Sequence, residues 1–150
     1  MKISNVAINK MQLKLPSLSS NEGMARAAIA AFVSQMDPTA VELADIKCAI
    51  SEAVTNAIVH GYKNTQGYIN INVWLLEGRV AKIEIRDKGC GIPDVKLARQ
   101  PLYTTDHESE RSGMGFTVME SFMDKIKVTS KVGKGTCVTL YKFLSERSIT

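Results

Sequence analysis

Glu52-Ala53-Val54-Thr55-Asn56-Ala57-Ile58-Val59-His60-Gly61 is the stretch whose reading decides the fold. As a helix it puts Glu52, Asn56 and His60 at i, i+4 and i+8, on one polar stripe. Ile46, Ile50, Ala53 and Ala57 make the neighbouring apolar stripe, and Val54 and Ile58 make a second apolar side. A helix covered on two sides turns its polar stripe toward a cavity; the plainer alternative is a solvent face. A carboxylate and a carboxamide one turn apart supply a proton acceptor and a neutral oxygen ligand for a hard cation such as Mg²⁺. The helix should run from about Thr39 to Val59, with Pro38 in its first turn and Gly61 ending it.

Outward from this helix the periods are short and clear. Upstream, Met11, Leu13 and Leu15 alternate with Gln12 and Lys14 as in a half-buried strand, and Pro16 stops it. Ser19 or Ser20 is placed to cap an alanine-rich helix from about Glu22 to Met36, which Asp37-Pro38 breaks. Downstream, Ile69, Ile71, Val73 and Leu75 line one face of a strand, Glu77-Gly78 turns, and Ala81, Ile83 and Ile85 line the next. From about Asp87 to Ser112 there is no clear period, and loops that long inside a domain are usually functional lids. A short helix bearing Val118, Met119, Phe122 and Met123 then precedes strands near Ile126–Ser130 and Thr136–Phe143. The expected class is an α/β two-layer sandwich whose mixed, mostly antiparallel sheet is covered by helices on one face.

Composition narrows the function. The 150 residues suit one domain, and 45% hydrophobic with 23% charged residues is globular rather than disordered. No apolar run reaches the roughly 18–20 residues of a membrane helix, and Met1-Lys2-Ile3-Ser4-Asn5 lacks a signal-peptide pattern. Cys48, Cys90 and Cys137 are scattered without metal-ligand spacing, so reduced thiols and a cytoplasmic location are expected. The net charge of +4 raises the question of nucleic acid. The densest cluster, Lys125, Lys127, Lys131 and Lys134, has no aromatic residues alternating with it along the chain. A solvated strand edge explains it more simply, and an acidic partner or a polyphosphate would suit the balance equally.

Further candidates follow the hairpin. Asp87 shares the parity of Ile83 and Ile85, so it points to the core side and needs a donor; an exocyclic amine such as that of adenine would serve. Gly89 and Gly91 allow a tight turn and close approach to a flat ring, although a plain Asp-x-Gly turn has the same pattern. Gly113-Met114-Gly115 before a helix bares backbone amides for an anion, or simply turns the chain. Arg111 precedes it, within reach of a terminal phosphate or of solvent. Thr136 has the parity of Val138 and Leu140 and points inward.

In order, these motifs read ExxTNAxxHG, DxGxGI, GMGF and GKGT. That order resembles the Bergerat-type ATP-binding fold shared by gyrase-type ATPases, histidine kinases, mismatch-repair ATPases and small serine kinases. Ser51–Tyr62, Ala98-Arg99-Gln100-Pro101-Leu102, Glu110–Phe116 and Asn21-Glu22 with Ala25-Arg26 resemble the anti-sigma F factors of endospore-forming bacteria. The resemblance implies a domain with an ATP lid at about 94–112. It implies an ATP-dependent protein serine kinase that sequesters a sporulation sigma factor and phosphorylates a serine on its anti-anti-sigma antagonist. On that reading Glu52 is the general base, Asn56 ligates Mg²⁺, and Asp87 accepts from adenine with Thr136 in support. Gly89, Gly91 and Ile92 shape the base pocket. Thr105, Arg111, Gly113, Met114, Gly115 and Phe116 meet the rest of ATP or ADP, and Arg26 contacts partners. Asp106 and His107 put an acid in the lid where the resemblance leads one to expect a lysine or a neutral residue, and Cys90 stands between two pocket glycines. With only His60 and His107 in the chain, a complete histidine kinase is disfavoured, and the length leaves no room for the coupling domains of gyrase-type ATPases. The rival reading is a sigma-factor-binding module that holds ATP without phosphotransfer. A homodimer joined near the first strand is also expected.

Overall fold

In the computed structural model the described residues are 2–100 and 115–146. Strand β1 (Ala7–Pro16) and helix α1 (Asn21–Val33) open the chain, and a 3₁₀ turn at Ser34–Met36 follows. Helix α2 (Ala40–Asn56) continues into a π turn at Ala57–Gly61, before strands β2 (Tyr68–Leu76) and β3 (Val80–Asp87). Helix α3 is a single turn (Val95–Ala98), α4 spans Gly115–Phe122, and β4 (Lys125–Lys131) and β5 (Gly135–Phe143) close the sheet.

Local chemistry explains most boundaries. Thr39 and Glu42 form a reciprocal capping box, which starts α2 at Ala40 and leaves Pro38 outside the helix rather than in its first turn. At α1 the expected serine cap is not used: Ser20 is helical and makes no capping bond. Asn21 instead donates from its side chain to the Pro16 carbonyl at 3.0 Å, tying the helix start to the end of β1. The β2–β3 turn takes three residues, with Gly78 and Arg79 both at positive φ. The stretch after Asp87 is not wholly irregular, because the Asp94 side chain caps α3 by accepting from Leu97 N.

Strand order is β1-β2-β3-β5-β4. All four pairings among the described residues are antiparallel, so the expectation of a mixed sheet is corrected: no parallel pair is formed. The physical reason is that each connection among β2–β3 and β4–β5 is a hairpin, and α4 returns the chain to an edge position beside β5. Inward residues Ile69, Ile71, Val73, Ile83, Ile85, Val138 and Leu140 meet Ile29, Val33, Ile46, Ile50, Val54 and Met119 of the helices in one buried cluster. The helices thus cover one face, as expected. β4 is an edge strand whose Lys125, Lys127 and Lys131 are exposed alternate residues, in keeping with the solvated-edge reading.

Candidate functional site

Two clusters of the expected residues form around α2. The first lies where the helix loosens into its π turn. That extra residue per turn carries Gly61 onto the end of β3, and π turns of this kind often mark functional sites. A Cβ added to Gly61 would stand 2.9 Å from Asp87 Cγ, so only glycine lets the helix end touch that carboxylate. Asp87 is 7% exposed, on the core side as its parity required. Its Oδ1 accepts from Gly89 N at 2.9 Å, and its strand partner across β3–β5 is Thr136. Burial pushes the Asp87 carboxyl above its usual range, against backbone hydrogen bonds from Gly89 and Thr136 that pull it down.

The glycines of this cluster are there for close approach. A Cβ on Gly89 would fall 2.0 Å from the Gly61 carbonyl oxygen, and one on Gly91, at φ +77°, 2.3 Å from the Lys131 carbonyl oxygen. Cys90 sits between them: its N–H donates to Gly61 O at 2.8 Å, and its carbonyl accepts from Gly133 N at 2.8 Å. The loop is thereby laced to both α2 and the β4–β5 turn. Thr136 Oγ1 lies 2.8 Å from Ser130 Oγ, which accepts from Ile92 N at 2.7 Å. Ile92, half-buried, packs against the core from this loop.

The second cluster lies five to nine residues back along α2, roughly 8–13 Å of helix. A Cβ on Gly115 would stand 3.1 Å from Asn56 Nδ2, 3.2 Å from Asn56 Oδ1 and 3.3 Å from Glu52 Oε2. The first residue of α4 therefore faces Glu52 and Asn56, two of the three polar residues of the α2 stripe, and both are half-buried rather than on an open solvent face. Phe116, buried, anchors that helix end in the core. Among the described residues no three acidic, histidine or cysteine groups converge. One carboxylate and one carboxamide beside a helix start fit a hard cation that takes most of its ligands from phosphate and water.

Arg26 is placed at the α1–α2 junction, donating to Glu22 Oε1 at 3.2 Å and to Ser51 Oγ at 3.1 Å, next to Glu52 in the chain. Thr105, Asp106, His107, Arg111, Gly113 and Met114, with most of the expected lid at 94–112, lie outside the described residues. Within that span, Arg99 pairs with Glu120, joining the end of α3 to α4. The sequence reading passed over four participants. Gly61 closed the quoted helix motif, Tyr62 ended the Ser51–Tyr62 stretch and Gly135 stood inside GKGT, so a motif-level signal existed for them; Ser130 had none. Tyr62 is buried, its hydroxyl donating to Tyr68 O at 2.6 Å and accepting from Lys88 N at 2.7 Å. A Cβ on Gly135 would lie 2.1 Å from Asp87 O.

Comparison with known proteins bears on the family and the fold. Residues 15–142 match the model of the histidine kinase-like ATPase domain. The chain is 54% identical over 140 residues to the anti-sigma F factor of Geobacillus stearothermophilus, covering 93% of this chain and 95% of that one. It is 53% identical over 136 residues to that of Caldanaerobacter subterraneus, covering 91% and 94%. Among solved structures, the RsbU and RsbW domains of a Mycobacterium tuberculosis protein superpose with a TM-score of 0.67 at 19% identity, over 93% of this chain and 34% of that one. The histidine kinase domain of a blue-light activated kinase from Erythrobacter litoralis gives 0.56 at 17%, over 82% and 61%. These two distant structures show the fold alone. The match to the domain model over residues 15–142 and the identity of more than half of the aligned residues over nearly the full length show that the chain belongs to the anti-sigma F factor family, within the histidine kinase-like ATPase domains.

Proposed function

We propose that this chain is an anti-sigma factor that holds a sporulation sigma factor and uses Mg-ATP to phosphorylate a serine of its anti-anti-sigma antagonist. The observation that carries the reading is the convergence of Glu52 and Asn56 on the first residue of α4, while the same helix ends against buried Asp87. In this reading Asp87 accepts from the adenine amine, Thr136 and Ile92 frame the base, and the phosphates run toward Gly113, Met114, Gly115 and Phe116. Arg111 and Thr105 complete the phosphate end from the lid, and Arg26 serves partner contact.

Asn56 Oδ1 would hold Mg²⁺, which neutralises phosphate charge when bound. Glu52 takes the proton of the serine hydroxyl as its oxygen bonds to the γ-phosphorus; the bond to the β–γ bridging oxygen breaks and ADP leaves. Glu52 also argues against a pure binding module, which needs no base at that position. The family name of the relatives supports the sigma-factor partner, and the ATPase-domain match supports ATP and ADP as ligands.

We further take the chain as one cytoplasmic domain and as a homodimer. Among the described residues no helix is long and apolar enough to cross a membrane, and the unpaired outer edge of β1 supports dimer pairing. A monomer at micromolar concentration in sedimentation would refute the dimer. The deciding assay for the kinase is transfer of label from ATP, with Mg²⁺, to an anti-anti-sigma domain, run beside Glu52→Ala. Label on a serine, reduced about 10²–10⁴-fold in a mutant that still binds ATP, is expected. Equal labelling by wild type and mutant would remove Glu52 from the chemistry, and no labelling by either would remove the kinase reading.

A further inference from the structure

The sheet face turned away from the helices carries an ordered row that spans all five strands. Lys10 pairs with Trp74, Trp74 with Lys82, Lys82 with Tyr141 and Tyr141 with Lys125, so lysine and aromatic residues alternate across the sheet. The ammonium groups lie over the rings: Lys10 at 5.0 Å and Lys82 at 4.6 Å from the Trp74 centroid, Lys82 at 5.8 Å and Lys125 at 5.4 Å from that of Tyr141. Lys14, Arg86 and Lys127 add positive charge in the neighbouring rows, whose one acid, Glu84, is engaged by Arg86 at 3.6 Å. Beside the row, residues 2–5 and the sheet form an open groove of about 490 Å³ with Trp74, Leu76, Lys82, Lys125 and Tyr141 in its walls.

We propose that this face docks an acidic amphipathic helix of a protein partner, laid across the strands. The first argument is charge. Three ammonium groups in line, with further cations on either side, call for an acidic occupant, and two copies of this face would oppose like charges. The second is spacing. Neighbouring strands are about 4.8 Å apart and one helical turn advances about 5.4 Å, so acids at i, i+7 and i+14 with apolar residues at i+4 and i+11 track lysine, ring, lysine, ring, lysine. The drift over the whole row is about 2 Å, within the reach of a lysine side chain. The groove, walled by Lys82 and Lys125 as well as by Trp74 and Tyr141, has room for a side chain of the docked helix. Nucleic acid is the poorer fit, because base stacking needs bare ring faces and these are covered by ammonium groups, whereas an aliphatic side chain packs on the ring edges and the lysine methylenes.

Trp74 is the chain's only tryptophan, so its fluorescence reports on this face directly. The probe is a synthetic helical peptide with Glu at i, i+7 and i+14 and Leu at i+4 and i+11, titrated into the full chain. A saturable Trp74 shift is expected, weakened by salt. In K10Q/K82Q/K125Q, with ATP binding and melting temperature as in wild type, the affinity should fall about tenfold. Should the triple variant fold poorly, K82Q alone should weaken binding about twofold. Four results would each overturn the proposal: no saturable shift, an equal shift with a scrambled peptide, tighter binding of a single-stranded oligonucleotide at the same salt, or a peptide-free shift that follows protein concentration and so assigns the face to a second copy.

Discussion

Gly61→Ala tests whether contact between the end of α2 and Asp87 builds the nucleotide site. The new Cβ would stand 2.9 Å from both Cγ and Oδ1 of Asp87 and 3.0 Å from Oδ2. Ordinary contact needs about half an ångström more, and overpacking of this kind costs roughly 1–3 kcal/mol. Asp87 is buried and held by Gly89 N–H, so it has little freedom to retreat. The added methyl also restricts the unfolded chain, which returns about 0.4–1 kcal/mol. The net loss of stability is therefore roughly 0–2.5 kcal/mol, a fall in melting temperature of up to about 10 °C at 2–4 °C per kcal/mol. The effect on ATP should be clearer, because a displaced carboxylate loses a hydrogen bond of about 1.5 kcal/mol, or tenfold in Kd. Calorimetric titration of ATP beside a thermal melt reads both. Gly23→Ala is the control: its Cβ meets only Arg26 Nη2 at 3.8 Å on α1, so about 0.5–1 kcal/mol of stabilisation and unchanged ATP affinity are expected. An ATP Kd within twofold of wild type in Gly61→Ala would refute the assignment of Asp87 to the base.

Two further perturbations follow from buried charges. Asp87→Asn should weaken ATP about 10–100-fold, because a carboxamide can turn a donor toward the adenine amine, while the melting temperature holds or rises as a desolvated charge is removed. For the same reason wild-type ATP affinity should fall as pH drops through the raised Asp87 pKa. The carboxyl's own burden on stability runs the opposite way: it is absent in acid and grows as pH rises from its ordinary value to the raised one, which pH-dependent melts of wild type against Asp87→Asn would show. Lys142 is 9% exposed and donates to Asp45 at 3.1 Å and to the Phe122 carbonyl at 2.6 Å, joining α2, α4 and β5. Lys142→Met should cost about 1–3 kcal/mol by leaving both acceptors without that donor, and an unchanged melt would refute a bracing role.

Where a residue's role depends on its near neighbours in the chain, the sequence was enough. The α2 stripe, the β2–β3 hairpin and the inward parity of Asp87 and Thr136 follow from periods of 3.6 and 2, which steric chemistry imposes locally. Glu52 and Asn56 were legible for that reason, and the glycine pattern marked Gly89 and Gly91. The serine cap of α1 was misread because backbone carbonyls take the first helix amides, Leu18 O from Asn21 N and Ser19 O from Glu22 N, in a turn placed by the end of β1. The mixed sheet was misread because strand direction depends on where each crossover lands.

What only the tertiary structure decided lies between residues far apart in the chain. Gly115 meets Glu52 and Asn56 only because α4 packs on α2, and Gly61 touches Asp87 only because a π turn redirects the helix end. The same is true of the outer face. Along the chain, the lysines of β4 have no aromatic companions, yet strand register brings Lys10, Trp74, Lys82, Tyr141 and Lys125 into one row. A one-residue slip in any of those pairings would have turned one or two members of the row into the core. Local periodicity sets which face a side chain occupies; its neighbours on that face are chosen by packing, through strand order and register that no short window of sequence contains.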